Sequence, residues 1–180
     1  MLLDGIRESG IDIGQSTLLD VGGGIGAIPF ELFSDGLKHA VNIDASIPYQ
    51  QVARREAEER NLLHQTEYHY GDASELAPRL QDTDIVTLDR VICCYPEPEK
   101  LIPATASKSR RVYGVVYPKV RYLTNFVFWA GNLWFRLRGI AFRTYLFPPE
   151  YINSLIRKQG FTLFKQQQTF LWHVATYIRE

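Results

Sequence analysis

Three aspartates and one glycine loop carry most of the chemistry legible in this chain. The loop is VGGGIGA, residues 21–27, and it places Gly22, Gly23, Gly24 and Gly26 directly after the apolar run TLLDV. Glycines at such a turn let the backbone approach a ligand closely, since no Cβ intervenes and positive φ is tolerated. Gly22, Gly24 and Ala27 satisfy the G-x-G-x-x-G/A spacing of a dinucleotide site. A P-loop is excluded, because no Lys-Ser/Thr follows. The glycines alone therefore leave the ligand open.

The acids narrow it. Asp44 ends the run HAVNID, 22 positions after Gly22, with Ala45 next to it. A carboxylate at that distance can accept both hydroxyls of a ribose. Asp72, followed by Ala73, closes the run TEYHYGD and stands where an adenine amino group could be bound. Asp20 sits at the loop itself, where it would repel a pyrophosphate and attract an ammonium. Three acids at three successive strand ends suit a cationic, phosphate-free cofactor better than NAD. The competing reading is that each acid simply caps the following helix.

These residues need elements to hold them at one edge. Short β-branched runs alternate with helical stretches: strands at 17–21, 39–44, 66–72, 84–89 and 110–118, helices at 25–33, 48–61, 99–106, 121–139 and 148–158. That alternation predicts a parallel sheet covered on both faces, an αβα sandwich that binds ligands at the strands' carboxyl edge. The rhythm breaks at the end. FTLFKQQQ and TFLWHVATYI follow each other with almost nothing between them, so they must pair as an antiparallel hairpin. The length of 180 residues predicts one domain over 1–180.

With loop, acids and hairpin in place, the chain resembles a class I S-adenosylmethionine-dependent methyltransferase over nearly its whole length. LLDVGGGIG, with Asp20, Gly22, Gly24 and Gly26, is similar to that family's first motif. VNIDAS resembles the ribose-binding motif, GDA the adenine-binding one, and DIVTLDRVICCYPEPEKL the fourth-strand region of small-molecule methyltransferases. The resemblance implies a seven-stranded, mostly parallel sheet of order 3-2-1-4-5-7-6 with the last strand antiparallel. It also implies that Asp20 orients the methionine amine, that Gly22, Gly23, Gly24 and Gly26 border the cofactor, that Asp44 and Ala45 hold the ribose, and that Asp72 with Ala73 flanks adenine. Three features depart from the family. No (D/N)PP(Y/F/W) motif follows the fourth strand, which argues against adenine or cytosine N-methylation. Cys93 and Cys94 replace the usual histidines, and only about 16 residues precede the first strand, so the usual N-terminal cover over the substrate is expected to be short or missing.

Methyl transfer from a sulfonium is an in-line displacement that positioning alone can accelerate, and a general base is needed only if the acceptor must lose a proton. The candidates at the fourth and fifth strand ends are Asp89, for the cofactor, Arg90, for an anionic acceptor group, Tyr95, beside the acceptor, and Tyr117. Packing is the competing role for each. The four histidines show no zinc spacing, and no metal is expected. A binding module without catalysis and an NAD-dependent oxidoreductase are the alternative functions; Asp20, Asp72 and the terminal hairpin count against the second.

Charge and hydropathy frame the partners. Residues 1–100 hold 18 acids and 8 Lys/Arg, whereas residues 101–149 hold no acid and 8 Lys/Arg. Such a split suits an anionic partner, unless these bases pair with the first hundred residues' acids. The segment RYLTNFVFWAGNLWFRLRG (121–139) projects one narrow polar stripe, Arg121, Asn125, Asn132 and Arg136, on an otherwise apolar helix. The first expectation for it is burial between the sheet and a neighbour. The second is a lid, or an interfacial helix touching a membrane surface. Nucleic acid is not expected as a partner of a chain otherwise so acidic. With no apolar run of 18 residues, no basic leader and only two adjacent cysteines, neither a span nor a signal peptide is expected, and a cytoplasmic setting is.

Overall fold

Seven strands form one sheet in the order β3-β2-β1-β4-β5-β7-β6, in a computed structural model that describes residues 1–179. The strands are β1 (Thr17–Val21), β2 (His39–Asp44), β3 (Thr66–Tyr70), β4 (Thr83–Asp89), β5 (Ser109–Pro118), β6 (Thr162–Gln168) and β7 (Trp172–Ile178). Pairs β1–β2, β1–β4, β2–β3 and β4–β5 are parallel, and β7 runs antiparallel between β5 and β6. The order and the antiparallel last strand are those expected.

The central strands are buried on both sides, which is why they read as continuous rather than alternating apolar runs. Leu18, Ile85 and Val112 pack on one face against Leu2 and Ile6 of α1 (Leu2–Glu8) and Leu32 of α2 (Ala27–Ser34). Leu19, Val86 and Tyr113 pack on the other face. There they meet α4 (Ala73–Leu76), α5 (Pro98–Ala106) and α7 (Pro149–Arg157). α3 (Ile47–Glu59) begins after Ser46, whose hydroxyl accepts the Tyr49 N–H, with Pro48 in the first turn.

Among the boundaries that differ from the sequence reading, two have a clear backbone reason. α2 starts at Ala27 instead of residue 25, because Gly24 and Gly26 take φ of +55° and +89° and keep the chain in a turn. β3 stops at Tyr70 instead of 72. Gly71 takes φ of +140°, and Asp72 leaves the sheet to cap α4, its carboxylate accepting the Ser74 N–H at 2.7 Å.

The larger correction concerns α6 (Tyr122–Leu137). It is not buried: Thr124 is its one buried residue, while Tyr122, Phe126, Trp129 and Leu137 are 98%, 63%, 63% and 77% exposed. The helix touches the rest of the molecule along a single face, and among the described residues no element covers the other. Pairing of the basic half with the acidic half is also only partial. Lys108 meets Asp82 at 3.2 Å and Arg110 meets Asp84 at 4.0 Å. Lys119, Arg121, Arg136, Arg138 and Arg143 form no ion pair among the described residues.

Candidate active site at the carboxyl edge

The ends of β1, β2, β3 and β4 surround a cavity of about 630 Å3. Its wall includes Gly22, Asp44, Ala45, Asp72 and Ala73, together with Arg90, Cys94, Tyr95 and Phe142. A volume of this size lies within the ~300–1,000 Å3 of small-molecule sites.

Gly22 shows why the loop needs glycine. Its φ is +62°, its N–H donates to the Ile43 carbonyl at 2.7 Å, and a Cβ there would collide with the Val91 side chain. Asp44 fastens the loop from the neighbouring strand. One carboxylate oxygen accepts the Gly24 N–H at 2.9 Å and the other accepts the Ser46 N–H at 2.7 Å. Each oxygen keeps a free lone pair toward the cavity, so a pair of ribose hydroxyls can still be bound. Asp72 caps α4 and also accepts from the Tyr95 hydroxyl, which lies 3.0 Å from either carboxylate oxygen and 2.7 Å from the Ser74 hydroxyl. The capping and ligand-binding readings of these two acids are therefore compatible. Burial and the nearby acids raise the Tyr95 phenol above its usual range, so it donates a hydrogen bond and is no base.

Asp20 occupies a different place. The strand registers align Asn42, Asp20 and Thr87 in one row across β2, β1 and β4. This row lies behind the loop, not on the cavity wall. A Cβ on Gly23 would stand 2.6 Å from the Asp20 Oδ2 and would also collide with Asn42. Asp20 Oδ1 accepts the Thr87 hydroxyl at 2.6 Å, while Oδ2 has no partner. Burial pushes this carboxyl up to about 7, the Thr87 bond pulls it down, and Asp89 and Asp44 push it further up. The orphaned oxygen behind a loop that faces a ligand cavity fits a cationic cofactor and disfavours an anionic one.

The remaining candidates divide. Gly23, Gly24, Gly26 and Asp89 stand back from the cavity, and Asp89 pairs with Arg90 at 3.0 Å. Arg90 and Tyr95 are on the wall. Arg90 takes φ of +60°, uncommon for a residue with a side chain, and its N–H donates to the Val116 carbonyl at 2.9 Å. Tyr117 is buried and stacks on His173 at 5.5 Å, away from the cavity. Cys94 reaches the wall, with its sulfur 3.7 Å from that of Cys93, whose hydrogen bond lowers the Cys94 thiol.

Sequence reasoning missed the aromatic walls, Tyr49 and Tyr70, and the cover residue Phe142. The signal for Tyr70 was its place just before Gly71-Asp72. Asn42 was legible as a polar residue in the middle of an apolar strand. Phe142 gave no signal, since it reaches the cavity only because α6 folds back. Asn132 clasps Thr144 by two hydrogen bonds of 2.7 and 2.9 Å, and the Tyr145 N–H donates to the Cys93 carbonyl at 2.7 Å.

Comparison with known proteins agrees with this geometry. Residues 19–107 match the family model of a methyltransferase domain. The fold superposes on magnesium protoporphyrin IX methyltransferase from Synechocystis PCC 6803, with S-adenosylhomocysteine bound, at a TM-score of 0.78 and 17% identity, covering 99% of this chain and 80% of that one. An S-adenosylmethionine-dependent methyltransferase from Mesorhizobium loti gives 0.72 and 13%, over 98% and 96% of the two chains. A chain of the Haloferax volcanii complex with the Trm112 methyltransferase activator gives 0.76 and 13%, over 98% and 86%. No curated protein matches the sequence.

Proposed function

Because residues 19–107 match a methyltransferase domain and the fold superposes on methyltransferases, we propose that this chain is a class I S-adenosylmethionine-dependent methyltransferase that transfers a methyl group to a small hydrophobic acceptor bearing an anionic group. The observation that carries the acceptor class is the lining of the cavity, where among the described residues Arg90 is the one Lys or Arg and Phe142 and Val91 add apolar surface.

The cofactor supplies an electrophilic methyl group on a sulfonium. Asp44 holds the ribose hydroxyls, and Ala45 leaves them room. Asp72 and Ala73 border the adenine, with Tyr49 and Tyr70 as its apolar walls and Tyr95 locking Asp72 in place. Gly22 lets the backbone approach the methionine end, and Asp20 stabilises the positive charge from behind the loop. Arg90 draws the acceptor's anionic group to the end of β4, with Asp89 orienting the guanidinium. No wall residue is placed as a strong base, so positioning carries the rate. The domain spans the chain, and the setting is cytoplasmic.

Titration with S-adenosylmethionine, followed by incubation with metabolite extract and methyl-labelled cofactor, tests this reading. Micromolar binding with label passing to a small molecule supports it. Binding with no transfer would instead favour a cofactor-binding module that regulates a partner, and the absence of binding would overturn both.

A further inference from the structure

We propose that α6 is a membrane-docking helix that lies in the plane of an anionic lipid surface. Its packed face is formed by Thr124, Phe128, Asn132 and Phe135, with Phe135 edge-on to Phe142 at 5.6 Å. Tyr122, Phe126, Trp129, Leu133, Trp134 and Leu137 point the opposite way and are all exposed. At roughly 100° per residue, the outward face is apolar over about 160° of the helix circumference. An exposed apolar face of this kind marks an interaction site.

Charge identifies the occupant. Arg136 flanks the apolar arc on one side and Arg138 on the other, and neither forms an ion pair among the described residues. No acid lies anywhere between residues 101 and 149, whereas residues 1–100 carry a net charge of −10, from 18 acids and 8 bases. An anionic surface therefore attracts the acid-free α6 region, which orients the docking. A second copy fits this face poorly, since a two-fold contact would bring the same arginines together with no acid to pair with them. At 16 residues, α6 is too short for the ~20 needed to span a bilayer. Apolar aromatics with flanking bases at that length suit an in-plane helix. Phe170 and Leu171, exposed at the tip of the β6–β7 turn, extend the apolar surface, with the Arg121 guanidinium 5.7 Å from the Phe170 ring centre.

The inner side of α6 reaches Phe142 on the cavity wall, so docking sets that wall, which borders the acceptor, beside the lipid. Only this last link rests on the methyl-transfer reading.

The test is co-sedimentation of the full chain with phosphatidylcholine vesicles and with vesicles half phosphatidylglycerol, at low and high salt. Tryptophan emission, quenched by brominated lipid, reports depth. The expected result is binding to the anionic vesicles about tenfold tighter than to the neutral ones, weakened by salt and by the pair Arg136→Glu and Arg138→Glu. The triple variant Phe126→Ser, Trp129→Ser, Leu133→Ser should lose vesicle binding and tryptophan quenching while keeping its circular dichroism and its S-adenosylmethionine affinity. Failure to bind anionic vesicles would overturn the proposal, as would binding indifferent to the triple variant. Self-association that the triple variant abolishes, without vesicle binding, would reassign the face to a second copy. None of these outcomes depends on methyl transfer, so they stand apart from failure of the enzymatic reading.

Discussion

The β1–β3 edge and the β5–α6 region differ in how their polar groups are used. At the first, the acids on the cavity wall are tied to protein partners: Asp44 on the loop and on Ser46, Asp72 on Ser74 and Tyr95. At the second, arginines stand unpaired beside exposed aromatics. A site whose ligand is the same in every turnover can be built rigidly, and shared strand ends do that here. A surface that meets a variable or extended partner stays open until the partner arrives. The comparison therefore predicts that changes at the first region act on cofactor affinity and leave α6 alone, and the reverse.

The largest effect is expected from Gly22→Val. The position has φ of +62°, and a side chain there meets Val91. Backbone strain and the collision together should weaken S-adenosylmethionine binding by roughly 100-fold or more. Calorimetric titration checks this; near-normal affinity would mean that the loop does not face the cofactor. Asp44→Ala comes next, about 10- to 100-fold weaker, since it removes charged hydrogen bonds to the ribose and releases Gly24. Vesicle binding should be untouched in both variants, and its loss would break the separation of the two regions.

Arg90→Ala probes the boundary between them. The residue lines the cavity, and its guanidinium pairs with Asp89 at 3.0 Å. Label transfer to the acceptor should fall by about tenfold, with S-adenosylmethionine affinity changed less than about threefold. A loss shared equally by both measurements would move Arg90 into the cofactor site.

The two regions also differ in how far the sequence reached them. The alternation of strands and helices and the loop at the carboxyl edge were legible because glycine, acid and β-branched runs act locally, whereas the strand order followed from the family resemblance. Asp20 shows the limit. Its type and spacing announced an acid near the cofactor, but its side of the strand, behind the loop with Asn42 and Thr87, follows from the register of three strands. The exposure of α6 was only half legible, since its stripe suited burial first and a lid or interfacial helix second. An apolar helix reads as buried when nothing in its own residues says that no element lies over it, and Phe142 joins the cavity only through the Asn132–Thr144 clasp.

The smallest effect is a pH dependence, and it isolates the most deeply buried acid of the first region. The Asp20 carboxyl ionises near 7 in the free protein, against 3.8 in an unfolded chain. Between those values the folded state holds the extra proton, so stability falls as pH rises through the interval. Asp20→Asn, which can still accept the Thr87 hydroxyl bond, should then raise the melting temperature at pH 8 more than at pH 5. A cationic cofactor in front of the loop favours the ionised form, so its binding releases a proton. Affinity for S-adenosylmethionine should rise about fivefold from pH 6 to pH 8 if the bound-state value falls by one unit. S-adenosylhomocysteine lacks the sulfonium charge and should show a weaker dependence, and Asp20→Asn should flatten both. Titrations in buffers of different ionisation enthalpy count the proton directly. An equal slope for the two cofactors would detach Asp20 from the sulfonium and leave the methionine ammonium, which both carry, as the charge it answers to.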